Sequence, residues 1–277
     1  MSITKKSLFL YSFIALFLIS PFSVSAEELS VPAYRFESQY AIDNSMTQDY
    51  FLKNGQENFS INFRQGASEQ NLTLTLRELN FNDIPIGKTV DLNGKENNLE
   101  RISLAYEYQI SSAAELLPFN LPLAIDLKTE ILKDMFDNTM MERKIMHYWN
   151  KENNVWQPLE RESVGDINRN SVRAKTFITQ NIVAMFIVKN QFEAWASWYP
   201  DALTPSSKYN GASNKYPIGT KVMVCRLDNL NKCVKIKIVS TGPYVDNRIV
   251  DLTKTAFKAI GNPGGGVVGV RVTLIKL

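Results

Sequence analysis

The chain has 277 residues, with 31 Lys/Arg against 28 Asp/Glu and 44% hydrophobic residues, a composition that buries a core in one or two domains and excludes a disordered polymer. The charge is uneven: from Glu193 onward 12 Lys/Arg stand against 5 Asp/Glu, a net of +7, whereas residues 27–192 carry 17 against 23, a net of −6. A basic module points to polyanionic partners, with a solvated basic face as the bland alternative; no nucleic-acid partner is expected.

Lys5 and Lys6, an apolar run from Leu8 to Ile19, and Val24-Ser25-Ala26 before Glu27 form the pattern of a secretory signal peptide over residues 1–26. The run of 12 residues is too short to cross a hydrocarbon core that needs about 20. The expectation is a secreted protein, extracellular or wall-associated (periplasmic if the host has an outer membrane), with no membrane span after cleavage; a retained anchor is the alternative.

Residues 30–56 are polar with scattered aromatics and read as an irregular lead-in. Period-two runs follow: Phe59, Ile61, Phe63; Leu72, Leu74, Leu76; Ile102, Leu104, Tyr106, Tyr108, Ile110; and Leu121, Leu123, Ile125, Leu127. Such alternation predicts half-buried strands, and a β-sandwich over residues 27–190 is the natural way to cover them. Residues 129–144 read equally as a short helix or a loop. The closing stretch, with Trp149, Trp156, Ser171–Phe177 and Asn181–Val188, resembles the last strands of bacterial surface β-sandwich modules. Its two tryptophans are core residues or a sugar-stacking platform, and a surface-protein partner is a further possibility for this module. His147 is most simply a strand residue. Lys189-Asn190-Gln191, where the charge balance reverses, is the expected boundary, short enough to hold two modules close.

Beyond it, Cys225 and Cys233 lie on the two arms of an alternating hairpin around Asp228-Asn229-Leu230-Asn231, and an oxidising compartment predicts a disulfide, free thiols being the alternative. With His147 the sole histidine and only these 2 cysteines, a zinc site has almost no ligands; no metal or other cofactor is expected. Thr253 or Asp251 can cap a helix over Lys254–Ile260, which Gly261 stops, and the last strand is Val267–Ile275. Gly264 to Gly269 matches G-x-G-x-x-G, but it follows a helix and enters a strand, so it reads as a loop.

The motifs Ala196-Ser197-Trp198-Tyr199, Pro217-Ile218-Gly219-Thr220-Lys221-Val222, Gly242-Pro243-Tyr244 and Arg248-Ile249-Val250-Asp251-Leu252 resemble, in order, the RlpA-like family across residues 193–276. The resemblance implies a mainly-β chain in which the sandwich is followed by a six-stranded double-psi β-barrel with one short helix, over residues 191–277. In the family's lytic transglycosylases a carboxylic acid protonates the leaving glycosidic oxygen and takes a proton from the sugar's own hydroxyl. Here Ser240 stands in the place of that acid, Thr241 in the place of the neighbouring Arg and Ser213 in the place of the family's His, and the loop bearing its Glu is shortened between Tyr199 and Tyr209. Asp251 remains, and it matches an Asp of the wall-loosening expansins, which share the barrel.

The reading that follows is a cell-wall protein that binds peptidoglycan or anionic wall polymers with little or no cleavage. Its alternatives are a lytic transglycosylase with Asp251 as acid/base, and a surface module for protein–protein contacts. Asp251 is the candidate catalytic residue, with a helix cap or an ion pair to Arg248 as its structural alternative. Trp198, Tyr199, Ser240, Thr241, Tyr244 and Arg248 are the candidate substrate contacts, although aromatics of a small barrel also serve as core, and Arg248 and the hairpin lysines either hold anions or are solvated.

Overall fold

The computed structural model describes residues 34–45, 47–112, 120–128, 142–163, 171–203, 208–245 and 247–275. The expected signal peptide and most of the undecided stretch 129–144 lie outside those residues; 142–144 open the strand Glu142–Asn150. Part of the shortened loop, 204–207, also lies outside them.

Alternation decides the sandwich. Phe59, Ile61 and Phe63 of strand Phe59–Phe63 are buried and Ser60 and Asn62 only partly so. Strand Leu123–Lys128 turns Leu123, Ile125 and Leu127 to the same core, with the small Ala124 also buried. These two strands join Tyr50–Lys53, Ser171–Thr176 and Glu160–Ser163 in a five-stranded sheet. Across from it lies the sheet of Tyr34–Ile42, Leu72–Leu79, Tyr106–Ser112, Glu142–Asn150 and the start of Gln180–Tyr199. The inward side chains of both sheets form one core, in which Phe59 stacks on Tyr106 at 5.1 Å, the arrangement that lets two half-apolar sheets hide from water at once.

Two expectations are corrected here. Residues 30–56 are not an irregular lead-in, because Tyr34–Ile42 and Tyr50–Lys53 are strands. The first pairs only with Leu72–Leu79 among the described residues and is exposed on both faces over its first half, so no alternation marks it. Nor is Lys189-Asn190-Gln191 a loop-like link: it is interior to the 20-residue strand Gln180–Tyr199. Asn190 has φ +66° and the register shifts opposite Glu142 and Arg143, a β-bulge that bends the strand out of the sandwich sheet. Beyond it Phe192, Ala194 and Ala196 feed a second core. Trp149 and Trp156 are a cross-strand pair 5.4 Å apart, buried with Phe186 on the outer side of the sandwich sheet, which settles them as packing residues.

The second core fills a closed ring of six strands: the end of Gln180–Tyr199, then Asn210–Ala212, Lys221–Arg226, Cys233–Ser240, Arg248–Thr253 and Val268–Leu274. Two pairings are parallel, Trp195–Tyr199 with Arg248–Thr253 and Asn210–Ala212 with Lys237–Ser240, and the first closes the ring. Val222, Val224, Val234, Ile236, Ile238, Val250 and Leu252 point inward. Cys225 and Cys233 are opposite each other in the hairpin and form the disulfide. The helix Lys254–Ile260 buries Ala256, Phe257 and Ile260; Thr253, not Asp251, caps it by accepting from the Ala256 N–H at 3.4 Å. Among the described residues no helix is long and apolar enough to cross a membrane.

Candidate functional site

Pairing register sets four residues in a row across four neighbouring barrel strands. Ser197 is opposite Asp251, Asp251 opposite Ala212, and Ala212 opposite Ser240. At about 4.8 Å per strand spacing, Asp251 and Ser240 stand roughly 10 Å apart, with Ala212 on the strand between them. Gly211 makes this close approach possible: a Cβ there would come within 2.6 Å of Ile236 Cδ1 and 3.1 Å of the Asp251 carbonyl oxygen.

At one end of the row, the Ser197 hydroxyl donates to Asp251 Oδ1 and accepts from Arg248 Nη1 at 3.0 Å. Among the described residues the ion pair of Arg248 with Asp251, one of the two structural alternatives for this acid, is not direct: Ser197 joins the two side chains. Asp251 Oδ2 accepts no hydrogen bond among the described residues. This carboxylate is oriented by one oxygen and offers the other.

At the far end, the Ser240 hydroxyl donates to the Thr241 carbonyl at 3.4 Å, and Thr241 Oγ1 shares a 2.9 Å hydrogen bond with the Tyr244 hydroxyl. Tyr244 is 84% exposed. Its ring lies above Gly242, where a Cβ would be 3.6 Å from the ring and 3.7 Å from the Ala212 methyl; the φ of +116° at Gly242 favours glycine there. Asn214 ties the turn down, accepting from the Gly242 N–H at 2.7 Å and donating to the Pro243 carbonyl at 2.8 Å. Ser213, in the place of the family's His, is buried and donates to the Ile249 carbonyl at 2.8 Å, so it serves the fold.

The structure therefore gathers Asp251, Arg248, Ser240, Thr241 and Tyr244 at one end of the barrel. Trp198 is on the other side of its strand: it packs on the core, donates to the Pro263 carbonyl at 2.9 Å and lies 5.0 Å under Lys254 Nζ. Tyr199, one residue on, alternates back to the face of Ser197. Ser197 and Asn214 belong to the site although sequence reasoning did not select them. The signal for Ser197 was its position between the core-facing Ala196 and Trp198.

A second concentration of charge lies where barrel and sandwich strands converge. The Glu193 carboxylate, 5% exposed, accepts from Arg161 at 2.8 and 2.7 Å and from Arg271 at 2.9 Å, with Arg143 at 3.9 Å. Burial alone would raise its pKa, but the hydrogen bonds and charges of Arg161 and Arg271 outweigh it and hold the carboxyl below its ordinary range. Burial, with Arg271 close by, pushes Arg143 down to about 10. Burial likewise takes Lys144 down to about 8.

Residues 192–272 match the family model described as lytic transglycolase. The chain is 41% identical over 69 residues to the endolytic peptidoglycan transglycosylase RlpA of Pasteurella multocida, covering 25% of this chain and 23% of that protein. It is 26% identical over 204 residues to the protein of the same name from Helicobacter pylori, covering 68% of this chain and 60% of the relative. The apo expansin of Clavibacter michiganensis overlaps 31% of this chain and 50% of its own at 15% identity, with a TM-score of 0.26. The chain thus spans less than two thirds of the length of these curated relatives, and residues 192–272 form an RlpA-like double-psi β-barrel.

Proposed function

We propose that this chain is a secreted cell-wall protein whose barrel binds peptidoglycan at the Ser197–Asp251–Ala212–Ser240 row with little or no glycan cleavage. The similarity to peptidoglycan transglycosylases supports the substrate, and one observation supports the restraint on chemistry. Asp251 is the sole carboxylate in the row, fixed as an acceptor by Ser197, and the position aligned with the family's acid carries the Ser240 hydroxyl. A serine hydroxyl does not protonate a leaving glycosidic oxygen near neutral pH, whereas it donates and accepts hydrogen bonds to sugar hydroxyls readily. The exposed ring of Tyr244 supplies an apolar face beside it.

The open Oδ2 of Asp251 favours one second reading, a lytic transglycosylase that uses Asp251 alone. Incubation with purified sacculi, pelleting, and mass spectrometry of the supernatant separates the two. The expected result is co-pelleting without anhydro-ended muropeptides, and weaker co-pelleting of Asp251→Ala. Anhydro products that vanish in Asp251→Ala would establish the second reading; neither pelleting nor product would overturn both.

A further inference from the structure

The hairpin Lys221–Arg226/Cys233–Ser240 carries a charge arrangement that the fold does not require. Its inward residues are apolar and its outward ones include Lys221, Lys235 and Lys237, all exposed. Lys221 and Lys237 are directly opposite each other, which sets their Cβ atoms about 5 Å apart, a destabilising arrangement for like charges. Lys235 is two residues along the same strand, about 7 Å away on the same face.

Among the described residues none of the three lysines has an ion-pair partner. The barrel's described acids are engaged elsewhere: Glu193 by Arg161 and Arg271, Asp201 by Thr255, Asp228 by Arg226 and Asp251 by Ser197. Repulsion that is left uncompensated on an exposed, rigid strand pair is the pattern of a site whose anion comes from outside. Position points the same way. Lys237 is three residues before Ser240 on one strand, so the lysines begin about 10 Å from the end of the candidate row. The Tyr209 carbonyl accepts from the Lys237 N–H at 3.2 Å, and this places a half-exposed aromatic ring at the margin of the patch.

From this geometry we infer that Lys221, Lys235 and Lys237 form a docking surface for the carboxylates of peptidoglycan peptide stems, a partner that rests on the peptidoglycan reading above. A glycan strand seated over the row would hang its branches alongside the strand Cys233–Ser240, within reach of the lysines. Lysine ammonium groups act as point charges with rotatable donors on long flexible side chains, so they can follow carboxylates carried on flexible stems.

The test uses the whole protein and three forms of sacculi: intact, stripped of accessory phosphodiester polymers, and stripped of stems by an amidase. The triple variant Lys221→Gln/Lys235→Gln/Lys237→Gln is compared with a triple Lys→Arg control. Three exposed charge contacts predict roughly ten-fold weaker binding of the Gln variant to intact sacculi, with the Arg control close to wild type. Wild type on stem-free glycan should fall to the level of the Gln variant and should bind phosphodiester-free sacculi undiminished. The melting temperature of the Gln variant should not drop, because a repulsive pair has been removed, so a binding loss cannot be ascribed to misfolding. Undiminished binding by the Gln variant would overturn the docking surface and leave the peptidoglycan reading standing. Binding lost with the phosphodiester polymers would assign the lysines to a different polyanion and also overturn it, and a wild type that binds none of the three preparations would sink both.

Discussion

Glu193→Gln tests whether the ionic cluster at the convergence of the two sheets fastens them together. The wild-type carboxylate meets guanidiniums from three places: Arg161 on Glu160–Ser163, Arg271 on Val268–Leu274 and Arg143 on Glu142–Asn150. The substitution keeps the size and removes the only negative charge held among them. Breaking a buried pair by deleting one partner costs about 3–5 kcal/mol, because the remaining charge stays buried without compensation. Since Gln retains one acceptor oxygen, we expect the lower end, about 3 kcal/mol, which is roughly 6–12 °C in Tm for a unit of this size. Chemical and thermal unfolding followed by tryptophan fluorescence measure it. The pH dependence adds a second constraint. The Glu193 carboxyl is depressed below its ordinary 4.5, so its contribution is complete above about pH 4.5 and is lost as pH falls through the native value. The difference between wild type and variant should be constant from pH 5 to 8 and shrink in stronger acid. A loss below about 1 kcal/mol at neutral pH would refute the reasoning, since it would mean that water screens the cluster as it screens a surface pair.

His147 and Gly211 give two further tests. His147 is 1% exposed and burial pushes its pKa down to about 4, so the unfolded chain takes up a proton first as pH falls from about 6.5. Stability should decline by on the order of 3 kcal/mol between pH 6.5 and 4 and then level off as far as this group is concerned. In His147→Phe that slope should be missing from denaturant unfolding curves; an unchanged slope would show that other groups produce it. Gly211→Ala places a methyl against Ile236 and the Asp251 carbonyl. It should cost about 1–3 kcal/mol as overpacking and weaken binding to sacculi through displacement of the Asp251 strand; wild-type stability with wild-type binding would show that the strands are not in close contact there.

What the sequence disclosed follows from which forces leave a periodic trace. Phe59–Phe63, Leu72–Leu79 and Leu123–Lys128 were legible because large apolar residues recur at every second position on the core face of each. The hairpin of Cys225 and Cys233 and the helix Lys254–Ile260 were legible from their own apolar faces, aided by turn and cap residues. Tyr34–Ile42 was not, because its first half buries neither face and its order comes from backbone pairing with Leu72–Leu79. At Lys189–Gln191 the side chains hid a strand for a different reason. Polar side chains there signal a loop, yet the backbone continues as strand through a bulge at Asn190, and both flanking sheets hold it. The Glu193 cluster was hidden by the summing of charge along the chain: a net of +7 from Glu193 onward says nothing of Arg161 arriving from the acidic module.

On the proposed reading, framework and chemistry come apart at the candidate site. Ser197, Asp251, Ala212 and Ser240 are aligned by two parallel pairings and one antiparallel pairing, all made by backbone groups. Backbone pairing positions residue 240 two strands from residue 251 whatever its side chain, so replacing an acid there alters no strand and no core residue. What does alter is the proton inventory: a carboxylic acid can give and take a proton, and Ser240 near neutral pH exchanges only hydrogen bonds. Fold similarity follows the pairings, while the proposed restraint on cleavage rests on one side chain that the pairings do not constrain. The same separation makes Asp251 informative. Its Oδ1 is spent on Ser197, which Arg248 holds in turn, so the barrel still orients a carboxylate toward the row at the expense of two partner side chains. On the proposed reading, an oriented carboxylate in line with a hydroxyl suits the grip of a polyol, and the lysines of the neighbouring hairpin would hold an acidic polymer beside it.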